Sequence, residues 1–164
     1  MNIKVKLLFS FLMIIALIFG FVHIYFPSDH YNFERLHVFL FNLCTGGTIL
    51  LYYTQRRQCM SKTVQLFFMV SLVYALSAFF EVYPLTLAVS VVLWLLVEKI
   101  RVQKFTVLPL QFFQNSVTVT EKFHQASLLC LSTGIAMASM VIINNHYTHW
   151  VYMEKLNLNT FFLG

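Results

Sequence analysis

Charge is what this sequence has least of. Six acidic and eleven basic residues make up 10% of its 164 positions, against about a quarter in soluble domains. Hydrophobic residues fill 59% of the chain, and the mean hydropathy is +0.75. A water-soluble globule is excluded on that balance, and an integral membrane protein is expected. The excess of base over acid, +5 in net charge, comes with no basic patch interleaved with aromatics, so no nucleic-acid partner is expected.

Cysteine is scarce as well. Cys44, Cys59 and Cys130 stand alone, without a C-x-x-C pair, which excludes a disulfide framework. It also excludes the small helical membrane thiol oxidoreductases, whose chemistry needs an attacking and a resolving thiol. The chain has no H-E-x-x-H, no G-x-S-x-G, no phosphate loop and no paired intramembrane carboxylates. No catalytic residue is assigned. Internal repeats, low-complexity tracts and N-x-S/T sequons are absent too.

What is present is a series of long apolar runs. Their spacing suits helices and not the short alternating strands of a barrel. The fold class expected is an all-α integral membrane bundle of about five transmembrane helices, a single domain over 1–164 lying in the lipid bilayer. The first span, 7–26, follows Lys4 and Lys6 as a signal peptide would. It is too long for an h-region and lacks a small-residue cleavage site, which predicts a retained helix. Pro27 stops it. Further spans are expected over 35–53, 63–80, 85–97 and 123–143, the fourth being the shortest and either tilted or only partly spanning. Residues 102–121 mix Phe and Leu with polar groups and predict an interfacial segment. Thr118 and Glu121 form a T-x-x-E capping box. The tail from Val151 is expected either to lie at the interface or to lead into a further apolar segment.

Charge then orients the bundle. Lys4, Lys6, Arg56, Arg57, Lys62, Lys99, Arg101, Lys104 and Lys122 fall on one side, nine of the eleven basic residues, leaving Arg35 and Lys155 on the other. The positive-inside rule places the first side, with the N-terminus, in the cytoplasm or matrix of a bacterial or organellar inner membrane.

On that topology five of the six histidines map to the outer half: His23, His30, His37, His146 and His149. Asp29, Glu34, Glu81 and Glu154 join them. Glu34, His37, Phe41, Cys44, Thr45 and Thr48 share a stripe of helix two by their three-and-four spacing, which should face protein. Ala16, Gly20 and His23 make a comparable stripe on helix one. Gly46 and Gly47 are expected to admit a neighbouring helix or a flat cofactor. Cys130, Gly134 and Ala138 predict close packing of helix five. His23, His37 and Glu81 should converge just below the outer interface, with His146 nearby.

Three functions compete. The first is a non-catalytic membrane subunit or anchor of a larger complex, favoured by the missing site motifs. The second is an electron-transfer subunit in which His23 and His37 bind haem b, Gly46 and Gly47 line the cofactor, and a quinol lies near the outer polar groups. That arrangement resembles the general architecture of membrane cytochromes b, without matching a family motif. The third is a divalent-metal carrier or sensor using His23, His37, Glu81 and His146. Polar groups look too sparse in the inner half to supply a full transport path. Each sharp reading has a plain counterpart: interfacial histidines meet water or headgroups, and paired glycines pack helices.

Overall fold

The computed structural model describes residues 3–26, 31–55, 60–104 and 118–151. Among them there is no strand, and five helical rods make up the bundle. They are α1 (Ile3–Tyr25), α2 (Phe33–Gln55), α3 (Lys62–Phe79), α4 (Tyr83–Lys104) and α5 (Val119–Ile143). Four of these are long and apolar enough to cross a membrane: α1, α2, α3, and α5 with its extension to Thr148. Several such helices fit an integral membrane protein.

Local chemistry starts the helices where polar residues meet apolar runs. Asn32 caps α2 by accepting from the Arg35 N–H at 2.8 Å, and Ser61 caps α3 by accepting from Val64 N–H at 3.3 Å. Thr118 caps α5, accepting from Glu121 N–H and donating to the Glu121 carboxylate, so the expected capping box is present. Such caps satisfy amide groups that a helix start leaves without partners.

Consecutive rods pack antiparallel, and α5 closes back on the last turns of α2. The core is formed by Leu43 and Leu51 of α2, Phe67 and Tyr74 of α3, Leu93 and Val97 of α4, and Leu128 of α5. α1 is peripheral. It buries only Phe9 and Ala16 and packs chiefly on α2, with Phe9 edge-on to Phe68 of α3.

Three expectations change here. α4 runs from Tyr83 to Lys104 and is not the shortest helix, because the polar residues after Val97 continue it. Arg101 is buried, and Glu98 holds its guanidinium. The interfacial segment expected over 102–121 falls mostly on 105–117, outside the described residues, as does the tail from 152. On α5, Cys130 is exposed, so the Cys130–Gly134–Ala138 stripe is not the packing face. Gln125, Leu128, Ser132 and Ile135 are buried instead.

The middle of α2 departs from α-helical winding. Phe39–Gly47 is π-helical, with carbonyls accepting from five residues ahead. Thr45 supports this winding by donating its hydroxyl to Leu40 O at 2.9 Å. The wider turn shifts the phase of everything beyond Phe39, and the two glycines, being adjacent, face different ways. Gly47 is buried, and a Cβ there would meet the Phe67 ring at 3.3 Å and Leu131 at 3.6 Å. Gly46 is exposed, so its expected helix contact is corrected.

Candidate functional site

At the end of the bundle where α1 stops and α2 begins, adjacent residues of α2 serve different neighbours. Successive residues of an α-helix lie about 100° apart around its axis. Glu34 and His37, three apart, therefore share the face turned to α1, while Arg35 turns to α3.

The α1 side forms a cleft of about 330 Å³ lined by Leu17, Gly20, Phe21, His23 and Ile24 of α1 with Glu34 and His37 of α2. His23 Nε2 lies 3.6 Å from the Glu34 carboxylate, both side chains partly exposed. His37 Nδ1 lies 2.7 Å from the Ala16 carbonyl oxygen. A carbonyl only accepts, so Nδ1 is the donor in this contact. Gly20 permits this approach: a Cβ there would stand 3.1 Å from Nδ1. Beside the cleft, Phe19, Phe33, Phe79 and Tyr31 pack as a ring cluster tying α1, α2 and α3 together.

On the α3 side Arg35 is 7% exposed. Its Nη1 donates to Ala78 O at 3.0 Å and lies 3.6 Å from the Glu81 carboxylate. Glu81 sits in the left-handed region at φ 58°. There it closes α3 as a Schellman motif, with Val82 N–H on Ser77 O and Glu81 N–H on Ala78 O. Tyr83 stacks on His146, with ring centroids 3.6 Å apart. His146 stands close enough to Glu81 and Arg35 to sense their charge.

The structure thus brings His23 and His37 together with Glu34, and Glu81 together with His146 beside Arg35. It does not bring all four into one pocket. Among the described residues no group of three or more His, Cys, Asp or Glu is placed to hold a metal ion, so the convergence expected of His23, His37, Glu81 and His146 is corrected. The cause is the phase difference between Arg35 and its neighbours on α2. His30 and Asp29 lie outside the described residues. His149 ends the π-helical turn Asn144–Thr148 with a left-handed φ of 51°.

The residues expected to hold haem fall in two places. His23 and His37 share the cleft of about 330 Å³. Gly46 and Gly47 lie away from it, and the Phe67 ring fills the space over Gly47.

A second set of polar contacts runs down the interior. Thr86 donates to Ser77 Oγ at 3.0 Å, Ser139 to Ser90 Oγ at 2.8 Å, and Ser132 to Glu98 Oε1 at 2.6 Å. Arg101 Nε donates to Glu98 Oε2 at 2.9 Å. These residues were not expected as a group. The available signal was the recurrence of Thr86, Ser90, Leu93, Val97 and Arg101 at three and four, one helical face continuing past the point where charge suggested a loop. Between Ser90 and Glu98 the interior is closed by Leu93 and Val97, so the contacts form separate rungs and not a conducting path.

No protein-family model matches the chain, and no curated protein or solved structure matches it either.

Proposed function

We propose that this chain is a non-catalytic, polytopic membrane subunit or anchor of a larger membrane complex. Its basic loops face the cytoplasm or matrix, and its His/Glu groups lie at the opposite face. One observation carries the reading: Glu34, Glu81 and Glu98 each sit in a set of polar contacts that reaches a neighbouring helix. Glu34 faces His23, Glu81 faces Arg35, and Glu98 holds Arg101 with Ser132. Groups arranged this way fix helix positions, since a charged side chain at membrane depth is tolerated when paired within the bundle. Catalysis would instead need a nucleophile beside a base, or convergent groups around an open reaction site.

Purification in mild detergent from native membranes tests this. The expected result is a second membrane polypeptide in fixed stoichiometry with the chain through successive columns. A chain that emerges alone, and that turns over a substrate or shows a haem absorption band, would overturn the subunit reading.

A further inference from the structure

Burial along α2 changes step at its middle. The outer half buries Leu36, Phe39 and Leu40. Two α-helical turns take about seven residues, so straight winding from these three would bring Leu43, Gly46, Gly47, Leu50 and Tyr53 inside. Leu43 is inside, but Gly46 and Tyr53 are exposed and Leu50 is only partly buried. The buried positions of the inner half are Gly47, Thr48, Leu51, Tyr52 and Thr54. That stripe runs about one residue ahead of straight winding, and the π-helical stretch Phe39–Gly47 holds the extra residue.

Past the stretch the sequence is doubled: Gly46 and Gly47, Leu50 and Leu51, Tyr52 and Tyr53. Were α2 wound as an α-helix throughout, each residue of the inner half would move into the place of the residue after it, a screw of about 100° and about 1.5 Å. Gly46 would then fill the place of Gly47, where a side chain meets the Phe67 ring and Leu131. Leu50 would fill the buried place of Leu51, and Tyr52 the exposed place of Tyr53. These three places receive the same residue type in either winding. Two others do not: Gly47 would underfill the place of Thr48, and Tyr53 would enter the buried place of Thr54. The π winding also keeps the Thr45 hydroxyl on Leu40 O, five residues back. The π-wound form therefore predominates. The outer half does not turn with the inner, because His37 is held on Ala16 O and Arg35 on Ala78 O.

We propose that α2 is a two-register helix: the extra residue is released from the π-helical stretch, and the inner half screws one residue toward Gln55 while the outer half stays docked. The device lets the inner end of α2 turn without disturbing the His37 and Arg35 contacts. It rests on the winding of α2 alone and stands whether or not the chain is a subunit.

Cysteine crosslinking of the full chain in membranes tests it. With Cys44, Cys59 and Cys130 replaced by alanine, Leu131→Cys on α5 is paired with Gly47→Cys or with Gly46→Cys, and a short thiol crosslinker is applied. Both pairs should crosslink, the Gly47→Cys pair faster, because crosslinking captures a minor form each time it is visited. Thr45→Val removes the hydroxyl bond and should raise the Gly46→Cys rate relative to the Gly47→Cys rate about fivefold, the worth of one hydrogen bond. Deleting the exposed Asn42 takes the extra residue out of the stretch. The Gly47→Cys pair should then still crosslink, which also shows that the deleted chain is folded, and the Gly46→Cys pair should not. Absence of Gly46→Cys crosslinking in the Thr45→Val chain would leave a single register and overturn the proposal. Its persistence after the Asn42 deletion would assign it to rocking of the helix and equally overturn it. Failure of the Gly47→Cys pair in the otherwise unaltered chain would contradict the π-wound packing itself. None of these outcomes depends on a partner subunit, so they are distinct from the purification test.

Discussion

His37 Nδ1 approaches the Ala16 carbonyl to 2.7 Å across the bare backbone of Gly20. A hydrogen bond between two helices therefore depends on a side chain that is missing from one of them. Gly20→Ala would place its Cβ 3.1 Å from that nitrogen, tighter than ordinary contact. The imidazole must shift, and the bond lengthens or breaks. We expect a loss of about 1 kcal/mol, read as a lower melting temperature in detergent. Restoration by a second change, His37→Ala, would show that the clash was with that ring.

The two central glycines should respond differently to the same substitution. Gly47→Leu forces a side chain into the Phe67 ring and Leu131 and should cost about 1–3 kcal/mol, as overpacking does. Gly46→Leu, on an exposed position, should leave the isolated chain's thermal stability unchanged. Equal destabilisation by both would contradict the π-helical phase of α2.

Arg35 and Glu81 form a pair in which the buried partner matters more. Arg35→Ala removes the donor to Ala78 O and should cost about 2 kcal/mol. Glu81→Gly loses an ion pair whose carboxylate is half-exposed, worth about 0–1 kcal/mol, and relieves a left-handed backbone that costs a non-glycine residue about 1 kcal/mol. Its net effect should be close to zero. Chemical or thermal denaturation of both variants, side by side, checks the asymmetry.

Glu98 and Arg101 form a coupled pair in which Arg101 is buried and Glu98 partly exposed. Glu98→Met leaves the buried Arg101 charge without its partner and should cost about 1–3 kcal/mol, while Arg101→Met, which leaves the partly exposed Glu98, should cost less. The double variant should recover most of that loss. Additive single effects in the cycle would show that the two side chains do not interact.

These expectations also mark what the sequence could and could not disclose. The five helices and the cap of α5 were legible because apolar runs and the T-x-x-E box act locally, whereas the Asn32 and Ser61 caps were not read. The separation of His37 from Glu81 was not. It depends on Glu34 and Arg35 facing different helices, and depth along the bundle alone could not resolve it. The fate of Gly46 was hidden by the π-helical stretch, since a three-and-four count assumes uniform winding. Glu98 and Arg101 resembled a loop because hydropathy counts their charge without seeing Ser132, 34 residues away. His23 and His37 sharing a cleft followed from helix direction and spacing, which the chain carries openly.

Sided cysteine labelling tests the membrane setting of the bundle most directly. With Cys44, Cys59 and Cys130 replaced, a single cysteine is placed at Met60, before α3, or at Val82, between α3 and α4. In sealed cells or right-side-out vesicles, an impermeant maleimide should label the Val82→Cys chain at once and the Met60→Cys chain only after the membrane is opened. Immediate labelling of Met60→Cys with Val82→Cys protected would invert the topology and put the His37 cleft on the cytoplasmic face. Labelling of both in intact membranes would contradict a membrane-spanning bundle.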